Sequence, residues 1–469
     1  MNAKHIKIIT DFDTIFSRIS GFDLPAFLQY NVRLHKGHRF ERIEKKMDKF
    51  IIEGGHPLKG EVQITGAKNA VLGLIPAALL SRNVVTIDNV PRIDDVRKMV
   101  DILSRIGAKV DWQDDVLTVD SRGELSYDCA PYQDEIGEMR ASYYLLGALL
   151  GRYGHAIVPL PGGCNIGDRP IDQHIKGFEA LGADVVIEHG CVKMQAEHLK
   201  AADIYMDVVS VGATINVMLA AVFAEGRTVI ENAAKEPHIV DVANFLNKMG
   251  ANIKGAGTDT LRIHGVEALQ ACSYSVVPDQ ITAGTYMMAA AATNGDVLVK
   301  GVIPKHMESV TAKLKEMGAE VVNVGGDSLQ VSHQGRLKHC HVKTLPYPGF
   351  PTDLQQPMAV LMSIAEGNSR LHESIFENRF KYVDELRKMG ANISINGRTA
   401  LIEGVPELSG TKIVATDLRA GAAMVIAALV AKGRSEITGL KFIDRGYENL
   451  EENFRNLGAH IERVAVENR

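Results

Sequence analysis

Two kinds of hydrophobic pattern alternate along the chain. Alanine-rich stretches that are apolar nearly all round occupy GAKNAVLGLIPAALL (66–80), MRASYYLLGALL (139–150), SVGATINVMLAAVFAEG (210–226), ITAGTYMMAAAATNG (281–295), TDLQQPMAVLMSIAEG (352–367) and TDLRAGAAMVIAALVAKG (416–433). A helix without a polar face belongs inside a protein. Between them run six amphipathic helices with charge on one face: IDDVRKMVDILSRIG, IDQHIKGFEALG, IVDVANFLNKMG, MESVTAKLKEMG, KYVDELRKMG and YENLEENFRNLG. Each ends in Gly followed by Ala, at Gly107, Gly182, Gly250, Gly318, Gly390 and Gly458, and a β-branched strand pair comes next. The tag returns after about 70 residues, the mark of a repeat architecture. One unit therefore reads strand, inner helix, strand, loop, amphipathic helix, Gly-Ala, strand pair. Six such βαβαββ-type units predict an α/β protein of two similar domains with three units each.

Composition narrows the class. Of 469 residues, 46% are hydrophobic, enough for sizeable cores. No apolar run approaches the roughly 18 residues of a membrane span, so no membrane partner is expected. A formal net charge of −5 gives no electrostatic footprint for nucleic acid. An anionic ligand must then be held by a local cluster of basic side chains. Five cysteines (Cys129, Cys164, Cys191, Cys272, Cys340) are scattered without CxxC spacing, a pattern for a reducing cytoplasm with neither disulfides nor a metal site. Residues 1–46 stand outside the repeat, with nine Lys/Arg against five Asp/Glu and no secretory signal. They read as an appendage or as translated upstream sequence, dispensable for fold and activity.

The units differ where helices begin, and free N–H groups and the helix dipole attract anions there. At the start of the inner helices stand Lys68 with Asn69, Arg140, Ser210 with Val211, Asp279, Asp353, and Asp417 with Arg419. The loops before the amphipathic helices carry Arg169 and Arg379. A helix cap requires only Ser, Thr, Asp or Asn. The basic residues Lys68, Arg140, Arg169, Arg379 and Arg419 would form one phosphate- and carboxylate-binding site if the units converge. The loop PGGCNIGDRP (161–170) places Cys164 among three glycines and two prolines. Arg169 nearby favours the thiolate and Asp168 opposes it.

The chain resembles the enolpyruvyl transferases from Met47 to Val464. The resemblance rests on GAKNA (66–70), MRAS (139–142), PGGCNIGDRPIDQH (161–174), SVGAT (210–214), ENAAKEP (231–237), PGFPTD (348–353), FENRF (376–380), ATDLRAG (415–421) and DRGYE (444–448). It implies two inside-out α/β barrel domains with helices inside and sheets outside. Residues 47–66 and 278–469 would form the C-terminal domain and 67–277 the N-terminal one, the chain crossing a hinge near Gly66 and again near Pro278. It further implies transfer of the enolpyruvyl group of phosphoenolpyruvate to the 3′-hydroxyl of UDP-N-acetylglucosamine, with release of phosphate through a tetrahedral ketal. That reaction is the first committed step towards peptidoglycan and a target of fosfomycin.

In that reading Cys164 is the proton donor, able to form a thioketal with phosphoenolpyruvate, and Asp353 the general base. Lys68, Arg140, Arg169, Arg379 and Arg419 hold phosphate and carboxylate, and Asn69 contacts the sugar. Arg169, Pro170, Ile171, Asp172, Gln173, Ser210, Val211, Ile375 and Phe376 line the uridine-diphosphate pocket. Neither metal nor cofactor is implied, and the partners are the two small-molecule substrates. The pattern departs at Val208, where many members have lysine, and at Gln280, a common arginine; MDVVSVGATIN is similar to the second paralogue of some Gram-positive bacteria. The sister branch acting on shikimate 3-phosphate lacks the cysteine loop, and a catalytically silent regulatory paralogue would not need Cys164, Asp353, Lys68 and Arg419.

Overall fold

The computed structural model of the chain describes residues 47–466 apart from 161, 163–166 and 168. Segment 1–46 and Cys164 lie outside the described residues. Six Ala-rich helices are present: Lys68–Ala78, Tyr144–Tyr153, Val211–Ala221, Gln280–Ala292, Gln355–Ile364 and Leu418–Val430. Their mostly small, apolar side chains allow nearly complete burial; every residue from Ala70 to Ala78 is buried, as is every one from Ala213 to Ala221, where the polar Thr214 and Asn216 find hydrogen-bond partners. Small residues let the helices touch closely. A Cβ on Gly147 would lie 2.2 Å from the Asn216 carbonyl oxygen, and the Gly147 N–H donates to Asn216 Oδ1 at 2.9 Å.

The Gly-Ala tag has a backbone reason. All six glycines have φ between 89° and 110°, a region where an L side chain is strained. In every copy the following alanine N–H reaches back five residues, as from Ala108 to the Leu103 carbonyl at 3.0 Å and from Ala459 to Phe454 at 2.9 Å. This is the Schellman arrangement, which satisfies a carbonyl left open at the helix end. The chain then turns into a hairpin: Lys109–Gln113 with Val116–Asp120, Asp184–Glu188 with Cys191–Gln195, Glu320–Gly325 with Ser328–Ser332, and Asn392–Asn396 with Thr399–Glu403.

Each unit contributes a small sheet, and three units complete theirs with distant strands. Ser273–Ser275 pairs in parallel with Val84–Asp88, and Lys59–Gln63 with Asp296–Lys300. In the sixth sheet Met47–Glu53 lies between Arg434–Thr438 and His460–Val466, antiparallel to both. In the second unit the leading strand shrinks to one bridge between Asp128 and Ile157, leaving three strands. The apolar faces meet in two separate cores. One joins Phe50, Ile52, Leu58, Val62 and Ile64 to residues between Ile281 and Ile461; the other contains residues between Ala67 and Val276. Where the chain passes from one to the other, Gly66 pairs with Pro278, and Ala67 N–H donates to the Val277 carbonyl at 2.7 Å.

A test follows from the central place of Met47–Glu53. Phe50 and Ile52 are fully buried in it, each worth about 1.5–3 kcal/mol of burial. A chain starting at Met47 is expected to keep its Tm within about 2 °C of the full chain. One starting at Gly54 removes an interior strand, exposes two ladders and yields no cooperative transition. Thermal unfolding followed by circular dichroism checks both, and equal behaviour of the two truncations rejects the argument.

Candidate active site

An aspartate at a helix start is ordinarily a cap. Asp417 is one: its Oδ1 accepts from the Arg419 and Ala420 N–H groups, each at 2.9 Å. Asp279 caps two helices at once. Its Oδ1 takes the Ile281 and Thr282 N–H groups at 2.7 and 3.1 Å, while Oδ2 takes the Lys68 N–H at 3.1 Å, tying together helices from the two cores. Asp353 breaks the rule. It sits in the 3₁₀ turn Thr352–Leu354 ahead of Gln355–Ile364 and makes no capping bond. Its carboxylate is held instead by Arg379 Nη2 at 2.6 Å and Arg419 Nε at 3.1 Å.

Those two arginines are 5% and 3% exposed, so their charges are displaced from water. Arg379 Nε and Arg419 Nη1 are buried without a hydrogen-bond partner. An unpaired guanidinium donor in such a place is costly unless an anion completes it. Burial on its own would raise the Asp353 pKa, but Arg419, Arg379 and Lys68 outweigh it and hold the carboxyl well below the usual carboxylate range. Arg419 is driven the other way: burial opposes its charge, and Tyr447, Asp353 and Asp279 raise its pKa.

The remaining cations arrive from both cores. Lys68 Nζ meets Asp95 Oδ2 at 3.1 Å, and Arg445 Nε meets Asp95 Oδ1 at 2.8 Å. Gly446 makes room for this, since a Cβ there would lie 2.9 Å from Lys68 Cδ. Arg140 Nη2 donates to the Arg169 carbonyl at 2.5 Å and stacks over Tyr143; Arg169 and Arg379 both lie over the Phe376 ring. Burial lowers the pKa of Arg140 and of Arg169, and Arg140 and Arg379 push Arg169 down further against the pull of Asp353. Cations crowded around Arg169 in this way mark a site built to receive negative charge.

All of these groups face one cavity of about 760 Å³, lined by Lys68, Asn69, Arg140, Arg169, Pro170, Asp172, Gln173, Ser210, Val211, Asp353, Ile375, Phe376, Arg379 and Arg419. The convergence expected of separate repeat units is therefore met. Ile171 is the exception: it packs against the core of residues 67–276 and does not line the cavity. Gln173 lines the wall but is occupied, donating to Asp172 and Asp207 and accepting the Asp207 N–H at 2.8 Å. Val208 is 59% exposed at the wall, next to Asp207, which pairs with Lys176 of the helix Asp172–Ala180 at 2.7 Å. Gln280 also faces the cavity. Cys164 lies outside the described residues. The loop's next described glycine, Gly167, has φ 135° and backs onto Glu377, whose backbone N would be 3.1 Å from a Cβ there. Gly167 thus meets the FENRF segment of the other core.

Several lining groups escaped the sequence reading. Arg445 was legible in principle, because it occupies in the sixth unit the loop position that Arg379 holds in the fifth. His174 and His238 were not. His174 is buried, within 3.0 Å of Asn216 Nδ2, and burial, seconded by Arg140, lowers its pKa to about 3. It is neutral at every ordinary pH. Among the described residues no group of His, Cys, Asp and Glu side chains has the arrangement of a metal site, and no helix is long and apolar enough to cross a membrane.

Comparison with known proteins agrees with this geometry. Residues 52–454 match the EPSP synthase (3-phosphoshikimate 1-carboxyvinyltransferase) family. A protein of Caldanaerobacter subterraneus named UDP-N-acetylglucosamine 1-carboxyvinyltransferase 3 is 58% identical over 418 residues, covering 89% of this chain and all of the relative. UDP-N-acetylglucosamine 1-carboxyvinyltransferase 2 of Bacillus subtilis is 53% identical, over 88% of this chain and 96% of its own. The crystal structure of the enolpyruvyl transferase NikO from Streptomyces tendae superposes with a TM-score of 0.80 at 26% identity, covering 90% of this chain and all of its own. EPSP synthase from Acinetobacter baumannii shares the fold, with a TM-score of 0.69 at 19% identity over 89% of this chain and all of its own. With two relatives more than half identical along nearly their whole length and a family match spanning both cores, the chain belongs to the enolpyruvyl transferases, in the branch of the UDP-N-acetylglucosamine 1-carboxyvinyltransferases.

Proposed function

We propose that this enzyme transfers the enolpyruvyl group of phosphoenolpyruvate to the 3′-hydroxyl of UDP-N-acetylglucosamine and releases inorganic phosphate. The observation that carries the reading is a carboxylate, Asp353, clamped by two buried arginines that retain unpaired donors inside a cation-lined cleft. Phosphoenolpyruvate brings a phosphate and a carboxylate, and arginine forks bind both in bidentate fashion. As these anions engage Arg379 and Arg419, the guanidinium charges are shared and the pull on Asp353 weakens. Its carboxylate then gains basicity at the moment a substrate proton must be taken. The 3′-oxygen attacks C2 while its proton passes to Asp353, and C3 receives a proton from Cys164. The ketal collapses when C3 gives a proton back and the C2–O bond to phosphate breaks. Lys68, Arg140, Arg169 and Arg445 stabilise the charge that accumulates on the departing phosphate.

The two cores act in this reading as two domains, 67–277 and 47–66 with 278–469, closing on the cleft about the bridge between Gly66 and Pro278. Pro170, Asp172, Gln173, Ser210, Val211, Ile375 and Phe376 take the uridine diphosphate and Asn69 the sugar. With Val208 in place of lysine, that pocket holds the diphosphate more weakly than its lysine-bearing counterparts. The place of action is the cytoplasm, at the first committed step of peptidoglycan precursor synthesis. The deciding experiment is phosphate release from phosphoenolpyruvate with each acceptor. Release is expected with UDP-N-acetylglucosamine and not with shikimate 3-phosphate; equal or faster release with the latter rejects the assignment.

A further inference from the structure

We infer that Glu373, which does not touch the cavity, is the positioning residue that sets the acceptor-binding loop and the base Asp353 in register with each other. The inference rests on the function proposed above. Glu373 follows the strand Asn368–His372, is fully buried, and has no cation within ion-pair distance among the described residues. Burying an ionised carboxylate without a counterion is expensive unless each lone pair finds a donor. Here they do. Oε1 accepts from Thr344 Oγ1 at 2.8 Å, from the Ile375 N–H at 2.8 Å and from the Phe376 N–H at 3.2 Å, and Oε2 accepts from Thr352 Oγ1 at 2.8 Å.

The four donors belong to three segments, two of which carry site residues. Ile375 and Phe376 line the cavity, and the Phe376 ring lies beneath both Arg169 and Arg379. Thr352 precedes Asp353 within one 3₁₀ turn, and its carbonyl accepts from Arg379 Nη2 at 3.4 Å. Thr344 adds a second tie, accepting the Ser374 N–H at 2.9 Å. One rigid side chain thus joins the wall that receives the acceptor to the group that deprotonates it. An apolar residue of the same volume would fill the space but leave the peptide N–H groups of Ile375 and Phe376 and the Thr352 hydroxyl without this common anchor. The two oxygens divide the work: Oε1 governs the acceptor loop, and Oε2 governs the base.

That division gives the test. Full-length wild type, Thr352→Val, Thr344→Val, Glu373→Met and Glu373→Gln are compared in steady-state phosphate release with UDP-N-acetylglucosamine and phosphoenolpyruvate, alongside Tm. Thr352→Val is expected to lower kcat about tenfold with the acceptor KM changed less than about threefold. Thr344→Val is expected to raise the acceptor KM about tenfold with kcat nearly unchanged. Glu373→Met should show both losses, and Glu373→Gln, which keeps an acceptor for the two peptide N–H groups, should recover most of the acceptor KM. The inference is overturned if the two threonine variants alter kcat and KM alike, or alter Tm alone; this comparison stands even if Glu373→Met fails to fold. A wild type inactive with these substrates would reject the proposed reaction instead, so the two failures are distinguishable.

Discussion

Asp353→Asn is expected to lower kcat by about 10²- to 10⁴-fold, the range for loss of a positioned general base, while the KM for phosphoenolpyruvate stays level or falls. The opposite signs come from one geometry. Asparagine keeps the shape and one acceptor oxygen but can neither take a proton nor carry charge. Arg379 and Arg419, which now spend donors on Asp353 at 2.6 and 3.1 Å, are then left with their charge uncompensated in a buried place. An incoming phosphate or carboxylate no longer competes with an internal anion, so binding does not suffer as turnover does. Because the arginines depress the Asp353 pKa in the free enzyme, protonation of this group occurs only below the ordinary carboxylate range. The kcat/KM profile should therefore show no acid limb from Asp353 above about pH 5. A variant with kcat within about tenfold of wild type would remove Asp353 from the role of base.

The second large effect concerns Cys164. Cys164→Ala is expected to lose most turnover, about 10²-fold or more for a missing general acid, whereas Cys164→Asp retains a proton donor of similar reach. Fosfomycin, an epoxide, should alkylate the wild-type thiol irreversibly, leave Cys164→Asp active, and react faster in the presence of UDP-N-acetylglucosamine. Selectivity over the other cysteines has a structural cause. Burial, then Asp128 and Cys191, push the Cys129 thiol up to about 12; burial, with Glu316, pushes Cys340 to about 12; and burial raises Cys191 and Cys272. The thiolate is the nucleophile, so these four stay unmodified at neutral pH. Intact-mass measurement and peptide mapping after treatment check it. A label on another cysteine, or full activity of the alanine variant, is the contrary result.

Much of the site was readable because repetition supplies its own control. Where six units share a scaffold, a residue that the scaffold does not need stands out, and Lys68, Arg140, Arg169, Arg379 and Arg419 all do so and all face the cavity. The aspartates were harder. Asp279, Asp353 and Asp417 occupy equivalent positions in sequence, yet two cap helices and one is seized by arginines from neighbouring units. Resemblance to a family marks Asp353, but only the spatial arrangement gives the reason. Glu373 shows the same limit, since nothing in its local sequence separates a surface glutamate from a fully buried one with four donors. Ile171 is a loop residue between Pro170 and Asp172 of the cavity wall, and its half-buried side chain packs against the core.

Sequence by itself determined the repeat, the two classes of helix and the glycines that end six of them, because these depend on side-chain polarity and backbone φ within a few residues. Tertiary structure decided which strands meet. The opening run Met47–Gln63 reads as strand, turn and strand, yet its two strands enter different sheets, one between Arg434–Thr438 and His460–Val466 and the other beside Asp296–Lys300. Strand partners are chosen by edge ladders left unpaired hundreds of residues away, and no local pattern records that choice. The same holds for the charge of the cleft: each arginine is placed by its own helix terminus, but its pKa, its unpaired donors and its chemistry arise only when two cores bring the termini together.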